Sequence, residues 1–238
     1  MEKMLSVITP TFNEAKNIEN LVAAIDQALS NSRYELIVVD DDSPDGTGKI
    51  AEALALKYPV RVLSRKGKSG LASAVLDGVE IAKGDLVCVI DADLSHPPGI
   101  IPKMVEFMKL ENADIVVASR VVEGGGTDHW PLIRRIMSVF AASLARPLTA
   151  VKDNGSGFFL LKKEVIGSAA LTPRGYKILL EMLVKCDFNK AVEFPYVFSD
   201  RKAGKTKLNL KVQMEYVAQL LSLYEYKRRK AGSVKREA

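Results

Sequence analysis

Leu86-Val87-Cys88-Val89-Ile90-Asp91-Ala92-Asp93 is the stretch on which the reading of the fold turns. Its first five residues are apolar on both faces and rich in β-branched side chains. That is the pattern of a strand buried on both sides, as in a parallel sheet covered by helices. Two carboxylates two residues apart at the strand's C-terminal end can converge on one hard cation. Oxygen donors suit Mg²⁺ or Mn²⁺, and Mg²⁺ commonly bridges one or two carboxylates to substrate phosphates. In open α/β sheets, ligands sit beyond the carboxyl ends of the strands. A lone D-x-D is also what a polar loop looks like, so the chain on either side has to decide.

On the N-terminal side, strand and helix signals alternate. Leu5 to Thr9 reads as a strand ending at Pro10. Asn17 to Asn31 carries Ile18, Leu21, Val22, Ile25 and Leu29 at helical spacing. Tyr34 to Val39 is a second strand, followed by Asp40-Asp41-Asp42. A helix over Thr47 to Tyr58, a strand over Val60 to Ser64 and a helix over Leu71 to Ala82 lead back to the opening stretch. Beyond it lie a helix over Gly99 to Leu110 and a strand over Ile115 to Ser119. This rhythm predicts an α/β fold with a mostly parallel central sheet flanked by helices.

After Ser119 the pattern changes. Gly124-Gly125-Gly126 reads as a mobile loop, and Trp130 to Leu144 as a helix. Gly157 to Lys162 is strand-like, Lys163 to Leu171 a short helix, Ile178 to Lys185 a helix, and Ala191 to Phe198 extended. Arg201 to Lys207 is a basic loop, and Asn209 to Lys230 a long amphipathic helix before a frayed Ser233 to Ala238. The economical division is one catalytic domain over 1–208 with a C-terminal helix and basic tail over 209–238.

The 238 residues can bury a substantial core. Lys and Arg number 34 against 29 Asp and Glu, a net charge of +5 that suits phosphates, nucleotides or an anionic membrane surface. Nothing asks for nucleic acid. Cys88 and Cys186 are far apart and lie in apolar surroundings, so they read as core fillers in a reducing compartment. Met1-Glu2-Lys3-Met4 leads straight into a strand, unlike a secretory signal. No run approaches the roughly 20 apolar residues of a membrane span.

Polar residues cluster at the strand ends: Thr11 and Glu14, then Asp40 to Asp42, then Asp91 and Asp93, then Arg120. Three consecutive aspartates repel one another and need partners; turn and cap chemistry with Ser43-Pro44-Asp45-Gly46 supplies some. There is no GxGxxG after the first strand, no GxxxxGK[ST] and no GxSxG, which argues against a nicotinamide dehydrogenase, a P-loop NTPase and an α/β-hydrolase. The only two histidines, His96 and His129, are too separated for a His-rich metal site, and His96 reads as a residue shaping its loop.

Four strings together are far more specific than any one. Pro10-Thr11-Phe12-Asn13-Glu14, Val38 to Thr47 (VVDDDSPDGT), Asp91 to Pro98 (DADLSHPP) and Gly155-Ser156-Gly157-Phe158-Phe159 resemble the family 2 glycosyltransferases. Within them the chain is similar to the polyprenyl-phosphate sugar synthases that make lipids such as dolichyl-phosphate mannose. The resemblance runs from about Leu5 to about Lys207. It implies a GT-A fold, an inverting mechanism, GDP-mannose as donor and a dolichyl or other polyprenyl phosphate as acceptor. By the same resemblance Pro10, Phe12 and Glu14 match the first nucleotide-contacting segment, with Phe12 where tyrosine is common, and Val39 and Asp41 match positions at the base and ribose. Asp91 and Asp93, flanking Ala92, match the ligands of Mg²⁺ or Mn²⁺; Ser95 stands where some members carry a glutamine ligand. Arg120 and Arg134 match basic residues near the diphosphate and acceptor phosphate, and Ser156 a serine near the acceptor. Arg201 and Lys207 match a late basic loop in which Lys205 here replaces an acid and Thr206 a serine.

An ionised prenyl phosphate needs little general-base help; if a base is needed, Asp93 or Asp153 is the candidate. The resemblance also implies a cytoplasmic location, peripheral on the cytoplasmic face of a membrane, with or without a separate membrane-anchoring subunit. Leu210, Val217, Leu220, Leu221 and Tyr224 ahead of Tyr226-Lys227-Arg228-Arg229-Lys230 suit either a bilayer surface or simple packing, and Trp130 is a second interfacial candidate. A synthase for another hexose and a nucleotide-sugar-binding protein without catalysis are the alternatives.

Overall fold

The structure is a computed structural model. It describes residues 3–67, 70–128, 130–167, 169–172, 177–199 and 210–237, and for 134–135, 210–212 and 232–237 the backbone alone. The candidates Arg201 and Lys207, and His129, lie outside the described residues, as does the side chain of Arg134.

Strands β1 (Leu5–Thr11), β2 (Tyr34–Asp40), β3 (Val60–Ser64), β4 (Leu86–Val89), β5 (Ile115–Ser119), β7 (Phe159–Lys162) and β8 (Ala191–Pro195) form a sheet in the order β3-β2-β1-β4-β7-β5-β8. A parallel pair joins β6 (Gly126–Thr127) to β9 (Val197–Phe198). The main sheet is parallel except for β7, which runs antiparallel to both β4 and β5. The expected mostly parallel sheet is therefore present.

Alternation along each strand sorts the side chains between two apolar layers. Val7, Val38 and Cys88 face α1 (Ile18–Ala28), α2 (Thr47–Leu54) and α4 (Ile101–Leu110). Their neighbours Ile8, Val39 and Val89 face α3 (Leu71–Ile81) and α6 (Ile178–Lys185). Cys88 has no exposed surface, and burial pushes its thiol well above the usual range, so it behaves as a small inert hydrophobe. A third cluster seats α7 (Leu210–Glu237) through Tyr216, Leu220 and Leu223 on Leu180 of α6 and on Ala145 and Leu148, which follow α5 (Leu132–Leu144).

Three sequence expectations change. The helix expected over Lys163 to Leu171 is a single 3₁₀ turn, Lys163–Val165; Gly167, at φ +43°, stands where a helix would have to continue. The triple glycine is built into the fold. A Cβ on Gly125 would lie 2.5 Å from the Ser119 carbonyl, and Gly126 opens β6. The C-terminal helix runs on to Glu237 instead of fraying from Ser233. The antiparallel direction of β7 brings the loop before it to the edge where β1, β2, β4 and β5 end.

Candidate active site

The site is assembled from loops leaving that edge. After β1 the chain turns through Asn13, whose φ of +62° is a left-handed conformation that asparagine tolerates. Three side chains from beyond β2 fasten this turn. Asn13 N donates to Ser43 Oγ (3.0 Å) and Glu14 N to Thr47 Oγ1 (2.9 Å). Asp45 accepts from Ala15 N at 3.0 Å. Burial opposes the Asp45 charge, but the Thr47 hydroxyl and the amides of Ala15 and Thr47 outweigh it and hold the carboxyl below its ordinary range.

The aspartate triplet divides its work. Asp40 accepts from Thr11 Oγ1, Ser43 Oγ and Ser43 N and shapes the turn. Asp41 is buried, with one oxygen 2.9 Å from Arg65 Nε and the other accepting from Gly70 N at 3.0 Å. Asp42 is exposed at φ +56°. The structure thus engages Asp41, expected at the base and ribose, in holding the loop before α3. Pro10, near the end of β1, and Phe12, just beyond it, are half-buried, and Val39 lies buried in the sheet.

Asp91 and Asp93 lie directly beyond β4, where Ile90 N still donates to Ile8 O. Asp93 is buried, and its Oδ1 accepts from both the amide and the hydroxyl of Ser95. Asp91 keeps 28% of its side chain exposed, and its Oδ2 lies 3.2 Å from His96 Nε2. Ser95 therefore orients Asp93 and His96 touches Asp91. Ala92 between them is buried, and the S-G-F-F segment reaches Asp91 through Gly157. A Cβ on Gly157 would fall 2.9 Å from Asp91 Oδ2, so the backbone approaches the carboxylate as only glycine permits. Gly157→Ala should accordingly displace Asp91 and weaken Mn²⁺ binding by about 10- to 100-fold. Its unfolding midpoint moves little, and a normal apparent Mn²⁺ affinity would refute the steric argument.

Beyond β5, Arg120 forms a bidentate pair with Asp153: Nε to Oδ2 at 2.8 Å, Nη2 to Oδ1 at 2.6 Å, with the Arg120 amide on Oδ2 at 2.9 Å. Burial alone would lower the guanidinium pKa, but Asp153 outweighs it and drives the value upward. The guanidinium also packs over Trp130 (5.5 Å to the ring centroid) and Phe198 (5.8 Å). Trp130, expected at a lipid interface, is half-buried inside this stack. Asp153, a candidate base, is held as an arginine partner. Ser156 is buried and closes the turn: it accepts from Phe158 N and donates to Phe158 O, each at 3.2 Å.

Lys177 was not singled out by any sequence motif. Its ammonium lies 3.8 Å from the Tyr216 ring centroid on α7, and a Cβ on Gly155 would meet Nζ at 3.0 Å. Burial, then repulsion from Arg120, lowers its pKa to about 8, against a smaller opposing pull from Asp153. A lysine with a depressed folded pKa binds fewer protons in the native than in the unfolded state between about pH 8 and its ordinary value of about 10.5. Its contribution to stability therefore rises with pH across that window. Urea unfolding at pH 7.5 and 10 should show a larger relative gain for wild type than for Lys177→Met. The cysteines titrate with the opposite sign but cancel in the difference.

Among the described residues no group of three or more His, Cys, Asp or Glu side chains is placed to hold a metal. Asp91 and Asp93 nevertheless fit a hard cation, since both carboxylates lie beyond one strand and Asp91 stays partly exposed; the remaining ligands would have to come from substrate phosphates and water. An open, mostly parallel sheet with two acidic side chains at the end of a central strand is an α/β fold of the GT-A type. Solved structures agree on the fold. The mannosyltransferase PcManGT from Pyrobaculum calidifontis, in complex with GDP-Man and Mn²⁺, aligns at TM-score 0.63 and 20% identity over 97% of this chain and 65% of that one. Glucosyl-3-phosphoglycerate synthase from Mycobacterium tuberculosis, in complex with Mn²⁺, UDP-glucose and phosphoglyceric acid, aligns at 0.68 and 21% over 93% and 79%.

The sequence model of glycosyl transferase family 2 matches residues 6–168, and the chain belongs to that family. A dolichol-phosphate mannosyltransferase of Pyrococcus furiosus is 44% identical over 226 residues; the match covers 93% of this chain but 64% of that protein. The enzyme of the same name from Saccharomyces cerevisiae is 39% identical over 235 residues, covering 93% and 87%.

Proposed function

We propose that the protein transfers mannose, with inversion, from GDP-mannose to dolichyl or a related polyprenyl phosphate. The observation that carries this reading is the Asp91-Ala92-Asp93 loop at the end of β4, walled by Gly157, in a chain so similar to dolichol-phosphate mannosyltransferases. Asp91 and Asp93 would hold Mg²⁺ or Mn²⁺, and the ion would supply positive charge to offset that developing on the leaving diphosphate. Pro10, Phe12, Glu14 and Val39 border the nucleoside side of the edge. Arg120, already aligned by Asp153, together with Arg134, Arg201 and Lys207, supplies positive charge for the diphosphate and the acceptor phosphate. That phosphate is ionised near neutral pH, so the side chains align and stabilise charge without removing a proton.

A prenyl acceptor requires a lipid surface, and α5 offers one. Leu132, Ile133, Ile136, Val139 and Phe140 are all exposed along this helix, and Met214, Val217 and Leu221 are exposed on α7. Apolar exposure on this scale marks an interaction face. On α7 the expected lipid-facing set divides: Leu220 packs inward, while Val217 and Leu221 face out. No helix among the described residues is long and apolar enough to cross a membrane. The cluster Lys227 to Lys230 adds charge suited to anionic lipid.

The test is transfer of labelled mannose from GDP-mannose to dolichyl phosphate in detergent, with and without Mn²⁺ or Mg²⁺. A metal-dependent lipid product supports the reading. Transfer from a different nucleotide sugar, or to a water-soluble acceptor only, would overturn the substrate assignment. Flotation with anionic vesicles should lose most of the bound protein in Ile136→Asp/Phe140→Asp.

A further inference from the structure

We infer that His96 and Tyr196 are positioning residues for the Asp91 carboxylate, a role that rests on Asp91 being a metal ligand. His96 is 2% exposed, yet it is enclosed by rings: Phe158 at 5.3 Å, Tyr196 at 5.5 Å and Phe198 at 5.4 Å between centroids. An imidazole in such a box needs both nitrogens satisfied. Nε2 lies 3.2 Å from Asp91 Oδ2, and Nδ1 lies 2.9 Å from the Tyr196 hydroxyl. A carboxylate can only accept, so Nε2 carries the proton on that side, and Nδ1 is left to accept from Tyr196. The carboxylate thereby sets the histidine tautomer, the phenol satisfies the nitrogen left over and holds the ring in place, and the ring in turn fixes the carboxylate.

The arrangement is over-determined in the way a positioning device requires. Tyr196 connects β8 to β9, and its amide donates to Ser119 O at 3.1 Å, at the end of β5. Three residues on, Ser199 N donates to Ser95 O at 3.2 Å. The 195–199 segment therefore grips the Asp91–His96 loop at two points, and Gly157 closes on Asp91 from the other side. Metal-binding side chains are commonly oriented by such outer partners, whose removal typically weakens metal binding 10- to 100-fold.

The test uses Tyr196→Phe, which deletes one hydroxyl and keeps the ring packing, and His96→Phe, with His96→Gln as the conservative replacement able to donate an N–H to Asp91. Mn²⁺ binding in the presence of GDP is read by the loss of the free-ion electron paramagnetic resonance signal, which needs neither acceptor nor turnover. Tyr196→Phe and His96→Phe should weaken Mn²⁺ at least tenfold, with metal-free GDP binding within twofold of wild type, and His96→Gln should recover part of the loss. Unchanged Mn²⁺ affinity in both phenylalanine variants would sink the inference, even if stability or turnover fell. Wild-type protein that binds no Mn²⁺ with GDP or UDP would sink the metal reading and this role with it. Wild type that binds Mn²⁺ with a nucleotide but makes no mannolipid would leave the inference standing and overturn the substrate assignment alone.

Discussion

Asp93→Asn lowers metal-dependent transfer by on the order of 10³-fold while the protein stays folded. Asp93 Oδ1 accepts two hydrogen bonds from Ser95, and the asparagine carbonyl can accept both. The loop is kept while one negative charge is removed. Two neighbouring carboxylates raise each other's energy, so the variant's stability should equal or slightly exceed that of wild type. Metal-free GDP binding should hold or improve, because a charge facing the phosphates is gone. The measurement is transfer rate against Mn²⁺ concentration, alongside a urea unfolding curve. Retention of a tenth of the activity at saturating Mn²⁺ would remove Asp93 from the ligand set.

The largest effect on stability falls at Asp153. Arg120 and Asp153 side chains are 14% and 5% exposed, and the carboxylate takes three hydrogen bonds from the one arginine. Removing one member of a buried pair strands the other, at a cost of about 3–5 kcal/mol. Asp153→Ala also removes the group that offsets Arg120–Lys177 repulsion, which drives Lys177 further toward its neutral form. Against a total stability of roughly 5–15 kcal/mol, that loss places the variant near the edge of folding. Replacing both partners by apolar residues, Arg120→Met/Asp153→Leu, should recover most of the urea midpoint at unchanged slope but no activity. A loss below about 1 kcal/mol in Asp153→Ala would mean that the pair behaves like a solvated surface pair.

The Leu86 to Asp93 stretch could be read because its information is local. A doubly buried strand has to be apolar at every position, and the carboxylates follow it without a gap. The loop after β2 was legible for the same reason: Asp40 to Thr47 is turn chemistry written contiguously. The division of labour within the triplet was not. Asp41 looks like a ligand residue in sequence, and it took the approach of Arg65, 24 positions away, to show it engaged. Trp130 looked interfacial because an aromatic beside glycines and proline has no other partner in one dimension; in the fold, Phe198 and Arg120 cover it. The exposed face of α5 went unread because an apolar helix in sequence does not announce whether anything packs against it.

By itself, the sequence determined the α/β class, the acidic pair at the end of a buried strand and the family to which the chain belongs, since periodicity and contiguous motifs survive without a fold. Tertiary structure alone decided that β7 runs antiparallel, and with it that Asp153, Ser156 and Gly157 reach the edge where β4 ends. It also decided that Arg120 meets Asp153, that Tyr196 meets His96 across 100 residues, and that Lys177 sits under Gly155. Those encounters follow from strand order and direction. Both are set by how apolar faces pack over the whole chain, and no local spacing encodes them.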